Sequence, residues 1–444
     1  MRLFRALLLL GLLSMVAPVR ADTESQLLSN GIRILLTPTS SSEFLAVAVF
    51  VRLPPTPNVK TTCIKELAGR ALFFGSLNRS FESVRQSVRL VGGSLDVQVT
   101  PQFLAITCLT VPDKISETAY LMGEALKNAE YSAEALVRAR AEIAREAKER
   151  RANPYESLRY ELTQRANETP DWKPEDLARI TPPEVKAYFL NRFTIGSIVI
   201  SVAGRFDTAK AYRTFDNNLF ELKRGMPALK RVRPFVDVQE VLVAPPHPLP
   251  VVTIPSRDSI AYALLSLPAP SVSEREYAAF LTFQALLGIG HQSRLLRHFR
   301  EEQGLGYETG VTFFPHYGEP LIAQVQWDAN ALPQGRGLSP EQISKQLQDE
   351  ATRIVVQPIS ESELNRARQI AIGRLDLAHE RVLDKAVLLG WYEVMDTGST
   401  LDKELADRIL LVTKEDIAAV AKTYLERATL GIVQPSPAPS PSKN

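Results

Sequence analysis

Five histidines bound the chemistry that this chain can attempt. They stand at positions 247, 291, 298, 316 and 379, so the first half of the 444 residues has none. Cys63 therefore has no histidine base in its own half, and no G-x-S-x-G nucleophile turn occurs anywhere. His298 opens HFREE, which contains H-x-x-E but lacks the second histidine that a helical metal site places one turn later. It reads as a packing or surface residue. Arg300 and Tyr307 stand in SRLLRHFREEQGLGYETG. A guanidinium and a phenol are fixed donors toward developing negative charge. Taken alone, Arg300 is a solvated cation and Tyr307 an amphipathic strand residue.

The elements that carry these residues follow from periodicity. Leu295, Leu296 and Phe299 give a helix, Gly304 and Gly306 end it, and Tyr307 opens a strand. The chain also repeats itself. Leu136, Arg138, Ala139 and Arg140 in one helical stretch match Leu364, Arg366, Ala367 and Arg368 in another at one constant offset. Later, ITPPEVKAYFLNRFTIGSIVIS resembles LVTKEDIAAVAKTYLERATLGIV, each a Thr-capped helix running into a strand. Two matches in the same order indicate two homologous halves.

Each half starts with strands (GIRILLTPT and FLAVAVFVRL; then SIAYALLSL) and continues into an apolar helix. Two turn-linked strands follow, SLDVQVT with FLAITCLTV and YETGVTFFP with LIAQVQWDA, then more helices and a last strand. The fold class is α+β: two homologous α/β sandwich domains, each an antiparallel-rich sheet with helices packed on one face, duplicated within the chain. The domains fall at 22–222 and 251–433. The Pro- and Val-rich segment 223–250 lacks an amphipathic period and reads as a linker, and the Pro/Ser-rich residues 434–444 as a disordered tail.

Residues 1–21 read as a processing signal. Arg2 and Arg5 precede an apolar run from Ala6 to Val16, too short to span a bilayer comfortably, and Val19 and Ala21 satisfy the small-residue rule for cleavage after Ala21. An uncleaved anchor is the alternative. Cleavage removes three arginines and no acid, so the formal charge falls from +2 to −1. A near-neutral chain has no nucleic-acid footprint. Cys63 and Cys108 do not make a disulfide framework; a single bond between them, or two buried thiols, are both open.

The duplicated halves, with GG-turn strands such as LVGGSLDVQVT, resemble the pitrilysin/insulinase family of zinc peptidases over nearly the whole mature chain. In active members the first long helix carries H-x-x-E-H just before a segment like ALFFGSLNRS. Two histidines one turn apart bind zinc, and the glutamate acts as general base. Here those five positions are Glu66, Leu67, Ala68, Gly69 and Arg70, so both histidines and the glutamate are replaced. Glu146, in IAREAKERRANP, resembles the distant third ligand; without its companions it reads as an exposed glutamate on a charged helix. Arg300 and Tyr307 match the family's second signature, a pair that holds substrate and stabilises charge on the scissile carbonyl.

The N-terminal signal implies export, to the periplasm, and the resemblance implies a zinc-free subunit, inactive alone. Its partner would be an H-x-x-E-H-bearing subunit of the same family that carries the zinc. The substrate would be a peptide or unfolded polypeptide, and a homodimer stays open. The alternative is a peptide-binding or scaffold protein of the cell envelope with no proteolytic role.

Overall fold

The computed structural model describes residues 22–54, 58–222, 249–306, 308–330 and 338–435. The expected signal segment 1–21, nearly all of the expected linker, Tyr307 and most of the expected tail lie outside these residues. No helix among the described residues is long and apolar enough to cross a membrane.

Strands of the first half are β1 (Glu24–Leu27), β2 (Arg33–Pro38), β3 (Leu45–Arg52), β4 (Ser94–Val99), β5 (Phe103–Thr110) and β6 (Ile198–Gly204). Its helices are α1 (Val59–Arg70), α2 (Phe81–Leu90), α3 (Ile115–Asn128), α4 (Ala133–Ala152), α5 (Pro154–Ala166), α6 (Pro182–Arg192) and α7 (Thr208–Leu219). In the second half the strands are β7 (Val251–Ser256), β8 (Ile260–Leu267), β9 (Glu308–Thr312), β10 (Leu321–Asp328) and β11 (Thr429–Pro435). The helices there are α8 (Tyr277–Gly288), α9 (Pro340–Val356), α10 (Glu361–Leu377), α11 (Val382–Val394), α12 (Leu401–Leu410) and α13 (Lys414–Leu425).

The first sheet runs β1-β2-β6-β3-β5-β4 and the second β7-β11-β8-β10-β9. Without β1 the two orders coincide. In both, the first and last strands of the unit pair in parallel (β2 with β6, β7 with β11) and the remaining pairs are antiparallel. The expected duplication and α+β class are thus present. The repeat signal has a physical cause as well. Arg140 of α4 donates to the carbonyls of Leu177 (3.1 Å) and Ile180 (2.6 Å), just before the Thr181 cap of α6. Arg368 of α10 donates to the carbonyl of Val412 (3.0 Å), just before the Thr413 cap of α13. Each half ties its long helix to the start of the Thr-capped helix that precedes its last strand through the same arginine.

Helices of each half cover one face of its own sheet, and the other face receives one helix from the opposite half. On β3, Leu45, Val47, Val49 and Val51 pack toward the first-half helices. Ala46, Ala48 and Phe50 point the other way, where α11 of the second half packs across β3 and β6. Reciprocally, Leu158 and Leu162 of α5 pack on Leu264, Ile322 and Val433 of the second sheet. Both crossings rely on glycine for close approach: a Cβ at Gly390 of α11 would lie 2.6 Å from Phe50 Cε2, and one at Gly431 of β11 would lie 2.9 Å from Leu158 Cδ1. Polar ties close the joint, with Arg52 on Asp396 (2.6 Å), Arg33 on Glu393 (2.8 Å), Arg159 on Glu319 (2.8 Å) and Tyr155 Oη donating to Gln324 Oε1 (2.5 Å). The core is therefore continuous between the halves.

Candidate functional site

Asn58 caps α1 by accepting the Thr61 backbone N–H at 2.8 Å, and the helix runs through all five degenerate motif positions. Its buried face is fixed at two further points. Lys65 is buried and donates to the Pro101 carbonyl at 2.9 Å in the β4–β5 turn, and Tyr131 Oη donates to the Ala68 carbonyl at 3.0 Å. Burial lowers the Lys65 ammonium to about 8.

The position of the family's glutamate is closed. A Cβ at Gly69 would lie 2.3 Å from Val99 Cγ2 of β4 and 3.0 Å from Leu104 Cδ1 of β5. Val99 is β-branched and stiff, so no longer side chain fits there without moving the sheet edge. One residue on, Arg70 reaches Glu146 of α4 with both guanidinium nitrogens, Nη1–Oε1 at 3.0 Å and Nη2–Oε2 at 2.7 Å. Glu146 is therefore no solvated surface acid. The structure brings together the expected positions of the second histidine and the distant third ligand, and joins them by a fork-to-carboxylate pair.

Glu66 stands at the position of the first histidine, half-buried, with no hydrogen bond or ion pair among the described residues. Burial pushes its carboxyl up to about 7; Arg70 and Lys65 pull it down, and Glu146 pushes it further up. Arg150 lies with its guanidinium carbon 3.6 Å from the Tyr160 ring centroid and also lowers Glu66. These donors do not fit zinc. There is no imidazole, one carboxylate is engaged by a guanidinium, and a cation occupies a ligand position. Among the described residues no group of three or more His, Cys, Asp and Glu could hold a metal ion. Cys63 and Cys108 are buried free thiols, both pushed up to about 11 by burial.

In the second half, HFREE is wound as a π-helix over Leu296–Glu302, a winding often found beside functional sites. His298 bonds Gln303 through Nε2 (2.8 Å) and faces Glu302 through Nδ1 (3.4 Å). Gly304 (φ +68) and Gly306 (φ +82) make the expected turn, since only glycine takes both values without strain. Arg300 is exposed and lines a cleft of about 320 Å³ with Gly288, Gly290, Glu308, Gly310, Gln324 and Arg374. One wall is β9, an edge strand whose only strand partner among the described residues is β10. Across the π-helix lies a second cleft of about 430 Å³. There Arg294, Arg297 and Arg366 face Glu301, Glu350 and Glu363, with Arg294 already on Glu363 at 3.3 Å. Sequence reasoning missed Arg374 and the blocking Val99. No motif or period marks either one; only their three-dimensional neighbours do.

Residues 179–371 match the family model described as the peptidase M16 inactive domain. No curated protein matches the chain. Among solved structures, a protease from Helicobacter pylori superposes with a TM-score of 0.75 at 15% identity, over 94% of this chain and 100% of that one. A peptidase M16 inactive domain from Pseudomonas fluorescens gives 0.73 at 17%, over 95% and 99%. A conserved protein from Enterococcus faecalis V583 gives 0.65 at 16%, over 94% and 100%. At these identities the likeness is one of fold. The inactive-domain match agrees with the donor set on α1 in pointing to a chain without zinc of its own.

Proposed function

We propose that this chain, which carries the M16 peptidase inactive domain, is the non-catalytic subunit of an exported heterodimeric zinc metallopeptidase. One observation carries the reading: on α1 the expected general-base position is closed by Gly69 against Val99 and an expected ligand position is taken by the Arg70–Glu146 pair, while the Arg300 cleft beside β9 stays open. The partner would bear H-x-x-E-H, and its zinc would activate the attacking water. This chain would supply the opposing wall. A polypeptide would dock along β9 as an added strand, and Arg300 with Tyr307 would hold it and donate to the carbonyl oxygen as charge develops. Export to the periplasm rests on Arg2, Arg5, the apolar run and the Ala21 junction.

The test is peptide hydrolysis by this chain alone, by an H-x-x-E-H-bearing partner alone and by the mixture. Activity is expected only in the mixture, with Arg300→Ala lowering turnover about 100-fold while the complex still co-elutes. Unchanged turnover in both Arg300→Ala and Tyr307→Phe would remove the role given to the pair. A peptide-binding or scaffold role without proteolysis is the second reading, favoured because the cleft and edge strand need no partner to bind a peptide. A silent mixture, together with peptide binding by this chain alone, would select it.

A further inference from the structure

We propose that the cleft against β9 selects a docked peptide by a carboxylate, and that Arg374 is the residue setting this preference. The inference rests on the docking reading above and adds a substrate class to it.

Arg374 is exposed in the last turn of α10, and its side chain has no ion pair or hydrogen bond among the described residues. Two other arginines of α10 differ: Arg366 donates to Gln292 at 2.6 Å and Arg368 to the Val412 carbonyl at 3.0 Å. Arg300 is likewise without a partner among the described residues. The two enter one cleft from different elements, with Glu308 the single acid lining it among the described residues. Two fixed cations against one acid leave a net positive charge. A guanidinium fork matches a carboxylate in two parallel hydrogen bonds, whereas it gains much less from a neutral amide.

The cleft also adjoins a surface on which a chain can lie. Among the described residues β9 has one free edge, and its backbone approaches the end of α8 closely: a Cβ at Gly310 would lie 3.0 Å from the Gly288 carbonyl oxygen, and one at Gly288 2.9 Å from the Val311 nitrogen. Glycine at the middle of a five-residue edge strand leaves no side chain over the cleft there. A strand added to β9 can therefore hold its backbone on the edge and place a terminal or side-chain carboxylate between the arginines.

Both carboxylate sources share this chemistry, and three peptides separate them. A fluorescein-labelled, otherwise neutral and extended peptide is made with a free C-terminus, with an amidated C-terminus, and amidated with one glutamate near its end. Binding to the full-length chain is followed by anisotropy. The free acid, the glutamate peptide or both should bind about tenfold more tightly than the plain amide. Arg374→Gln should reduce that gap to within about twofold without weakening the amide, and Arg374→Lys should keep part of it. Equal binding of all three forms to the wild-type chain, or an undiminished gap in Arg374→Gln, overturns the inference and leaves docking standing. No binding of any form overturns docking, and the inference with it.

Discussion

Glu66 offers a direct test of how the degenerate metal position is built. Its carboxyl ionises near 4.5 in the unfolded chain and is pushed up to about 7 in the fold, chiefly by burial. Below the lower value it is protonated in both states and costs nothing. Between the two the unfolded chain gives up its proton first, so stability falls as pH rises. Above about 7 both states are ionised and the whole cost is present. A shift of this size corresponds to about 3 kcal/mol at most, and the partial exposure of the residue reduces it to about 1–2 kcal/mol. Glu66→Gln keeps the shape and removes the charge. At about pH 8 it should raise the thermal midpoint by about 1–3 °C for a chain of this length. At about pH 4.5 the two proteins should agree to within a few tenths of a kcal/mol. Scanning calorimetry of both proteins across that range is the assay. A glutamine variant no more stable at the higher pH, or stabilised equally at both, would refute the claim that burial outweighs the nearby cations at Glu66.

Gly69→Ala should cost about 1–3 kcal/mol because its Cβ meets Val99 Cγ2; an unchanged urea midpoint would show that β4 gives way easily. Gly390→Ala should lower the thermal midpoint through contact with Phe50 and Ser201 on the exchanged-helix face, at a cost of about 1–3 kcal/mol. A neutral result there would mean that α11 packs more loosely than described. Both thiols, buried and pushed up to about 11, should resist a thiol reagent in the folded chain and react only after denaturation. Reaction in the folded state would refute that burial.

Most strands were legible because their side chains alternate strongly. β3 reads LAVAVFVR, with large residues toward one helix layer and mostly small ones toward the other, and it was located to within a residue or two at each end. β1 and β7 were not. β1 is four residues long and mostly exposed, while β7 carries Pro255 and borders a Pro-rich stretch, so neither shows a clean period. What makes β7 a strand is parallel pairing with β11, formed far along the chain. The exchange of α5 and α11 was equally hidden. An apolar stripe says that a helix needs a surface, not which sheet provides it. At the site, missing histidines could be counted from the sequence. That Arg70 would find Glu146 could not, because a charge-rich helix offers several acids at similar spacing and only the packing of α1 on α4 selects one.

The positions that the resemblance assigns to a metal site are tied together without one. A metal held by residues of α1 and α4 would tie those helices through one cation between ligands. Arg70 keeps a cation on α1 and closes it on Glu146 in two hydrogen bonds, so the helix-to-helix tie remains without the metal. Gly69 in turn lets β4 and β5 close over the place of a general base. Random loss would leave an unpaired carboxylate on α4 and a void beneath α1, both costly in a half-buried setting. The first is absent, and Val99 and Leu104 close on Gly69. Glu66 remains, with Lys65, a group whose charge burial opposes, and its titration reports on the site.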